Sequence, residues 1–169
     1  MSDKPVEDCA DWPFIRHGAV TIFRKALVLE EAISLVKSEG YVVEEVNCST
    51  DDSVIRDISK ALCWKKWFGY EPEHLNLDAL NDALRYEPNP ERQRLAIVLR
   101  NFTVYRDSQR READALLDVI EYQPRNHLLH GERLIAFVSS EDPNLHIEPL
   151  GGRAANWNEK EWLMSARGD

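Results

Sequence analysis

Positive charge is in deficit in this 169-residue chain: 21 lysines and arginines stand against 30 aspartates and glutamates, a formal net charge of −9. A nucleic-acid binder needs a basic footprint to neutralise phosphates, so that class is disfavoured. An acidic surface suits a basic partner, or simply keeps a protein in solution. Long apolar runs are missing as well. LAIVL (95–99) and LIAFV (134–138) fall far short of the roughly 20 residues that cross a bilayer, so no membrane role is expected. The opening MSDKPVEDCADW has no basic stretch followed by an apolar one, so no secretory signal is expected. Cysteine is sparse: Cys9, Cys48 and Cys63 lack any CxxC spacing and cannot all pair. That argues against a disulfide framework and for a reducing, cytoplasmic setting with idle thiols. Gly-rich phosphate loops, Ser/His/Asp motifs, internal repeats and low-complexity linkers are also lacking, and with them any catalytic signature or implied cofactor.

What is present is a globular composition, 43% apolar and 30% charged, with strands and helices in alternation. AVTIFRK (19–25) reads as a strand and LEEAISLVKSEG (29–40) as a helix ended by Gly40. YVVEEVNCS (41–49) reads as the next strand, followed by a helix from Ser49, Thr50 and Asp51 to about Cys63. WKKWFGYEPEHL (64–75) reads as an aromatic loop, 76–87 as a short helix and NPERQ (89–93) as a turn. LAIVLRNF (95–102) reads as a strand buried on both faces, 108–122 as a helix with Ala113, Leu116, Leu117 and Ile120 inward, and 133–140 as the last long strand. The tail reads as irregular with a short helix from Asn158, held back by Trp157, Trp162 and Leu163. This order predicts an α/β fold with a mostly parallel sheet of about three to four strands, in one domain. Its core is 41–140, with an N-terminal extension (13–40) and a C-terminal tail (141–169).

NLDALNDALRYE (76–87) is the first stretch that bears on chemistry. Leu77, Leu80 and Leu84 form its inner face. Asp78, Asn81, Asp82 and Arg85 share the opposite one. Asp78 is eased by the helix N-terminus, but Asp82 lies one turn further and repels it by about 0.2–0.5 kcal/mol. The plain reading is a solvated face. The functional readings are a divalent-metal site, for which Asp51 and Asp52 would be further ligands in name only, an acid/base pair without a companion nucleophile, or an anionic surface for a cationic partner. Trp64, Trp67, Phe68 and Tyr70 are either satellite core or an interface. His127 and His130, with Glu132 nearby, have HxxH spacing but no third ligand close in sequence, and read as loop histidines.

ALCWKKWFGYEPEHLNLDALNDAL resembles the barstar family of intracellular ribonuclease inhibitors: paired aromatics and Gly, then Asn-Leu-Asp-Ala-Leu with an Asp one turn later. The order of elements agrees from 41–49 to 133–140. The resemblance implies a parallel three-stranded core, widened here by 19–25, and an inhibitor rather than an enzyme. It also implies a partner: a small basic ribonuclease whose active site is plugged by the acidic helix, the inhibitor acting as an immunity protein against a bacterial RNase toxin. By position, Asp82 matches the main inhibitory aspartate and Asp78 its support. Asn76 and Gly69 match binding-loop positions, Trp67 replaces a contacting tyrosine, and Tyr70 and Asn81 complete the expected partner-binding set. The chain departs from the pattern in three places. Extra residues within 70–75 lengthen the loop, Asn81 stands where a tryptophan is found, and a later acidic contact falls near Glu121 or Tyr122. The remaining readings are a divalent-metal enzyme using Asp78 and Asp82, and a module that binds a non-nuclease protein.

Overall fold

In a parallel sheet the apolar residues of one strand alternate between two buried faces, and that alternation organises this chain. The computed structural model describes residues 9–151 and 155–168. Its sheet comprises β1 (Val20–Phe23), β2 (Val42–Asn47), β3 (Arg94–Arg100), β4 (Arg133–Ser139) and β5 (Asn156–Trp157), in the order β2-β3-β4-β1-β5. Every pairing is parallel. The three-strand core widened by the 19–25 strand is present, with Val20 beside Ala136. The strand count is corrected at the tail: residues 156–157, read as irregular, pair with Thr21 and Ile22 as a fifth strand. A two-residue strand has no alternation to read in sequence.

The helix α1 (Ala26–Ser38) carries the chain from β1 to the far edge at β2, whereas later connections step back through β3 to β4. With right-handed crossovers, that reversal places α1 on one face and the later helices on the other. Phe23, Ala96, Val98, Ile135 and Phe137 pack under α1 and Phe14. Ile22, Leu95, Ile97, Leu99, Ala136 and Val138 face the second layer. That layer holds α2 (Asp51–Ala61), α3 (Trp64–Phe68), α4 (Leu77–Tyr86), α5 (Phe102–Ser108) and α6 (Arg110–Tyr122), followed by α7 (Pro124–Leu129). α2 opens with a capping box between Thr50 and Ser53, and Asp51 and Asp52 sit in its first turn.

Two segments differ from expectation. The loop expected at 64–75 begins with the five-residue helix α3. The helix expected over 108–122 begins at Arg110: a separate helix, α5, comes before it, burying Phe102 and Tyr105, and the chain bends at Gln109 into α6. Arg106 donates to Asp114 (3.1 Å) and to the His146 carbonyl (2.8 Å). The inward residues of α6 are as read.

In the tail, Trp157 packs on the core, but Trp162 and Leu163, expected to hold the tail, are more than half exposed. The anchor is Glu161. Its buried carboxylate accepts from the amides of Arg24 (3.1 Å) and Lys25 (2.6 Å) at the start of α1. Those groups have no intrahelical acceptor, and the helix dipole favours an anion there. A final turn, α8 (Met164–Arg167), follows.

The reading of idle thiols can be tested at Cys48, which is fully buried. Burial, with Asp57 nearby, pushes its thiol up to about 12. Only the thiolate alkylates, so native protein treated with iodoacetamide at mildly alkaline pH leaves Cys48 unmodified, and denatured protein does not. Peptide mass spectrometry checks this; equal labelling in both states would contradict the burial.

Candidate functional site

The acidic helix is set from its first residue. Asn76 is the N-cap of α4: its side-chain oxygen accepts from the amides of Asp78 (3.0 Å) and Ala79 (3.1 Å). This fixes the entry angle and satisfies two amides that the helix itself leaves open. Leu80, Ala83 and Leu84 are buried, Leu77 is half-buried, and the amphipathic pattern places Asp78 and Asp82 on the exposed side.

The far end is also held. His127 is buried; its Nε2 donates to the Leu84 carbonyl (2.6 Å) and its Nδ1 lies 2.8 Å from Glu132. The HxxH spacing therefore marks a side chain capping the last turn of α4, not a loop histidine, and His130 alone is exposed. Sequence reasoning missed this because the carbonyl it meets lies 43 residues away. Asn81 is tied inward too: its Oδ1 accepts from the buried Gln123 (2.6 Å), which joins α4 to the α6–α7 junction. Of the proposed contact residues, Asn76 and Asn81 thus have internal duties that position the helix.

Arg85 lies 3.8 Å from Asp82, both side chains more than half exposed. Such a solvated pair contributes about 0–1 kcal/mol and is easily exchanged for a partner's cation. Asp78 makes no ion pair among the described residues.

The aromatics divide. Trp64 is core, packed on Phe68 with centroids 4.9 Å apart. Trp67 is half-buried and stacks on Tyr86 at 5.0 Å and 22°. Tyr86 was not anticipated, although it completes the i, i+4, i+8 series of Asp78 and Asp82. Trp67 Nε1 donates to Glu87 Oε1 (3.2 Å), a buried carboxylate also met by Asn89 (2.9 Å) and, at 3.5 Å, by Arg92. That hub locks α3 against the end of α4. Gly69 ends α3 with φ +78°, a left-handed conformation that favours glycine, and Tyr70 beyond it is half exposed.

The result is one continuous face: Asp78 and Asp82, then Tyr86 stacked on Trp67, with Tyr70 at its border. It offers carboxylates and flat aromatic surface on a rigidly capped helix.

Of the two positions named for the later acidic contact, Glu121 turns inward. That carboxylate is buried and accepts from the amides of Ala19 (2.7 Å) and Val20 (3.1 Å). At Gly18, whose φ of +133° favours glycine, a Cβ would lie tightly against Glu121, 3.1 Å from its Oε1. Glu121 thus anchors β1, and only Tyr122 of the two faces solvent. Among the described residues, no group of three or more His, Cys, Asp or Glu side chains is arranged to hold a metal ion. Nor is any helix there long and apolar enough to cross a membrane.

Comparison with protein-family models matches residues 41–138 to Barstar (barnase inhibitor). That segment runs from β2 to the penultimate residue of β4 and holds the whole of the face just described. Comparisons with curated proteins and with solved structures found no match.

Proposed function

Because the chain belongs to the barstar (barnase inhibitor) family, we propose that it inhibits a small basic ribonuclease by laying the outer face of α4 and the aromatics of α3 over the nuclease active site. The observation that carries this reading is the exposed Asp78–Asp82 pair on a doubly capped helix flanked by the Trp67–Tyr86 stack. An active site built to hold RNA phosphate presents cations, and preformed carboxylates meet them without reorganisation. Aromatic surface beside them excludes water and strengthens the ion pairs. The inhibitor works in the cytoplasm as an immunity protein, binding a nuclease toxin before it reaches RNA. No group on this face needs to act as acid, base or nucleophile. A hard cation takes several converging oxygens, and among the described residues no group of three or more His, Cys, Asp or Glu side chains gathers at Asp78 and Asp82.

The test is inhibition of RNA cleavage, using barnase and any small basic ribonuclease encoded beside this chain. The expected result is loss of cleavage at about one inhibitor per nuclease. With a net charge of −9, association slows by about tenfold or more as salt is raised from low to several hundred millimolar, because steering is screened. Stopped-flow fluorescence reads that rate. Failure to inhibit either nuclease would overturn the reading.

A further inference from the structure

One turn beyond Asp82, α4 presents two exposed residues side by side, Arg85 and Tyr86. With 3.6 residues per turn they fall on either side of the line through Asp82, Arg85 about 60° to one side and Tyr86 about 40° to the other. Arg85 also comes within about 20° of the line through Asp78, two turns earlier. A surface seated on both aspartates and on the Trp67–Tyr86 stack therefore meets Arg85 as well.

The fold makes little use of this side chain. It is 64% exposed, and its one ionic contact among the described residues is Asp82 at 3.8 Å, too long for a hydrogen bond. The face thus carries a cation among its carboxylates, and that cation changes what a partner must offer. Any partner cation that pairs with Asp82 is brought into the neighbourhood of the Arg85 guanidinium. Once water is excluded, the two like charges repel.

A carboxylate beside the partner's cations removes the conflict. The planar guanidinium matches a carboxylate through two parallel hydrogen bonds. A neutral carbonyl would accept a bond but leave the cations of both molecules sharing Asp82. Such an acid is also at home in the target: RNA cleavage needs a group that takes up a proton, and a carboxylate held among phosphate-binding cations can serve.

We infer that Arg85 is a recognition residue of opposite sign to its neighbours, and that the nuclease docking on α4 carries an aspartate or glutamate beside the cations that meet Asp82. The inference rests on the inhibitor reading and deepens it. The two aspartates answer to any basic active site, whereas Asp82 and Arg85 together answer to one that alternates in sign. A basic ribonuclease without the acid is rejected, because it leaves a desolvated guanidinium unpaired.

The experiment uses whichever nuclease the wild-type chain inhibits, barnase or the one encoded beside this chain, with Kd read by calorimetric titration. Arg85 is exposed, so Arg85→Ala and Arg85→Glu are expected to fold, and thermal melts check this. Arg85→Ala is expected to weaken binding by about tenfold or more. Arg85→Glu is expected to weaken it by about a hundredfold or more, because it sets two carboxylates against each other. Wild-type affinity in Arg85→Ala would show the side chain turned to solvent, and tighter binding would show that it only competes for Asp82. Either result overturns the inference.

In a second arm each Asp and Glu of the nuclease is exchanged in turn for its amide, and the Arg85→Ala measurement is repeated. One exchange is expected to abolish the effect of Arg85→Ala, which is the coupling a direct pair gives. Lysine at that same nuclease position is expected to restore binding to Arg85→Glu. If no acid couples to Arg85, the inference falls while the inhibitor reading stands. If the wild-type chain inhibits neither nuclease, the inhibitor reading falls and the inference with it.

Discussion

Asp82→Ala is expected to weaken binding to the inhibited ribonuclease by about 3–5 kcal/mol, some two to three and a half powers of ten in Kd, while leaving the inhibitor folded. The magnitude belongs to the partner's side of the contact. Once α4 covers the nuclease site, the cations there are out of water, and removing the carboxylate strands them. In the free chain the same change costs little, because Asp82 is exposed and loses only its 3.8 Å solvated pair with Arg85. Asp78 lies one turn nearer the helix start, so Asp78→Ala is expected to cost less. Calorimetric titration of wild type and both variants gives the Kd values, and thermal melts of the same samples give stability. Wild-type affinity in Asp82→Ala would remove the central contact.

The pattern of what could be read in advance follows the range of the interactions. α4 was legible because its determinants are local: the Asn76 cap, the Leu80–Leu84 stripe and the exposed aspartates all lie within a few turns. The same holds for β3 and β4, whose continuous apolar runs announce burial on both faces. The features that fix α4 in place were not legible. His127 meets Leu84, Gln123 meets Asn81, and Trp67 meets Glu87 through contacts that only the folded chain brings together. Short elements were lost for a different reason. α3 is five residues and β5 two, less than one period of the pattern that would reveal them. The family match spans residues 41–138 and does not reach either end segment. Yet β1 and β5 share the sheet with the matched strands, and Glu161 of the tail caps α1.

Glu121 and Asp82 are both acidic and both on helices, and one experiment on Glu121 separates a structural carboxylate from a binding one. Glu121→Ala is expected to destabilise the fold by about 3–5 kcal/mol, since it removes an acceptor for two backbone amides and leaves both buried. For a chain of this size that lowers Tm by roughly 10 °C. The amides concerned, Ala19 at 2.7 Å and Val20 at 3.1 Å, begin β1. Because β1 joins β4 to β5, loosening it also loosens the tail. Glu121→Gln keeps one acceptor oxygen in a similar shape and is expected to cost about half as much. Measured well below its Tm, the folded Glu121→Ala chain still binds the nuclease with wild-type affinity, because the α4 face is untouched. The two carboxylates therefore give opposite signatures: Asp82→Ala loses affinity at constant Tm, and Glu121→Ala loses Tm at constant affinity. A drop in affinity for folded Glu121→Ala would return Glu121 to the interface and show that the α6 surface takes part in binding.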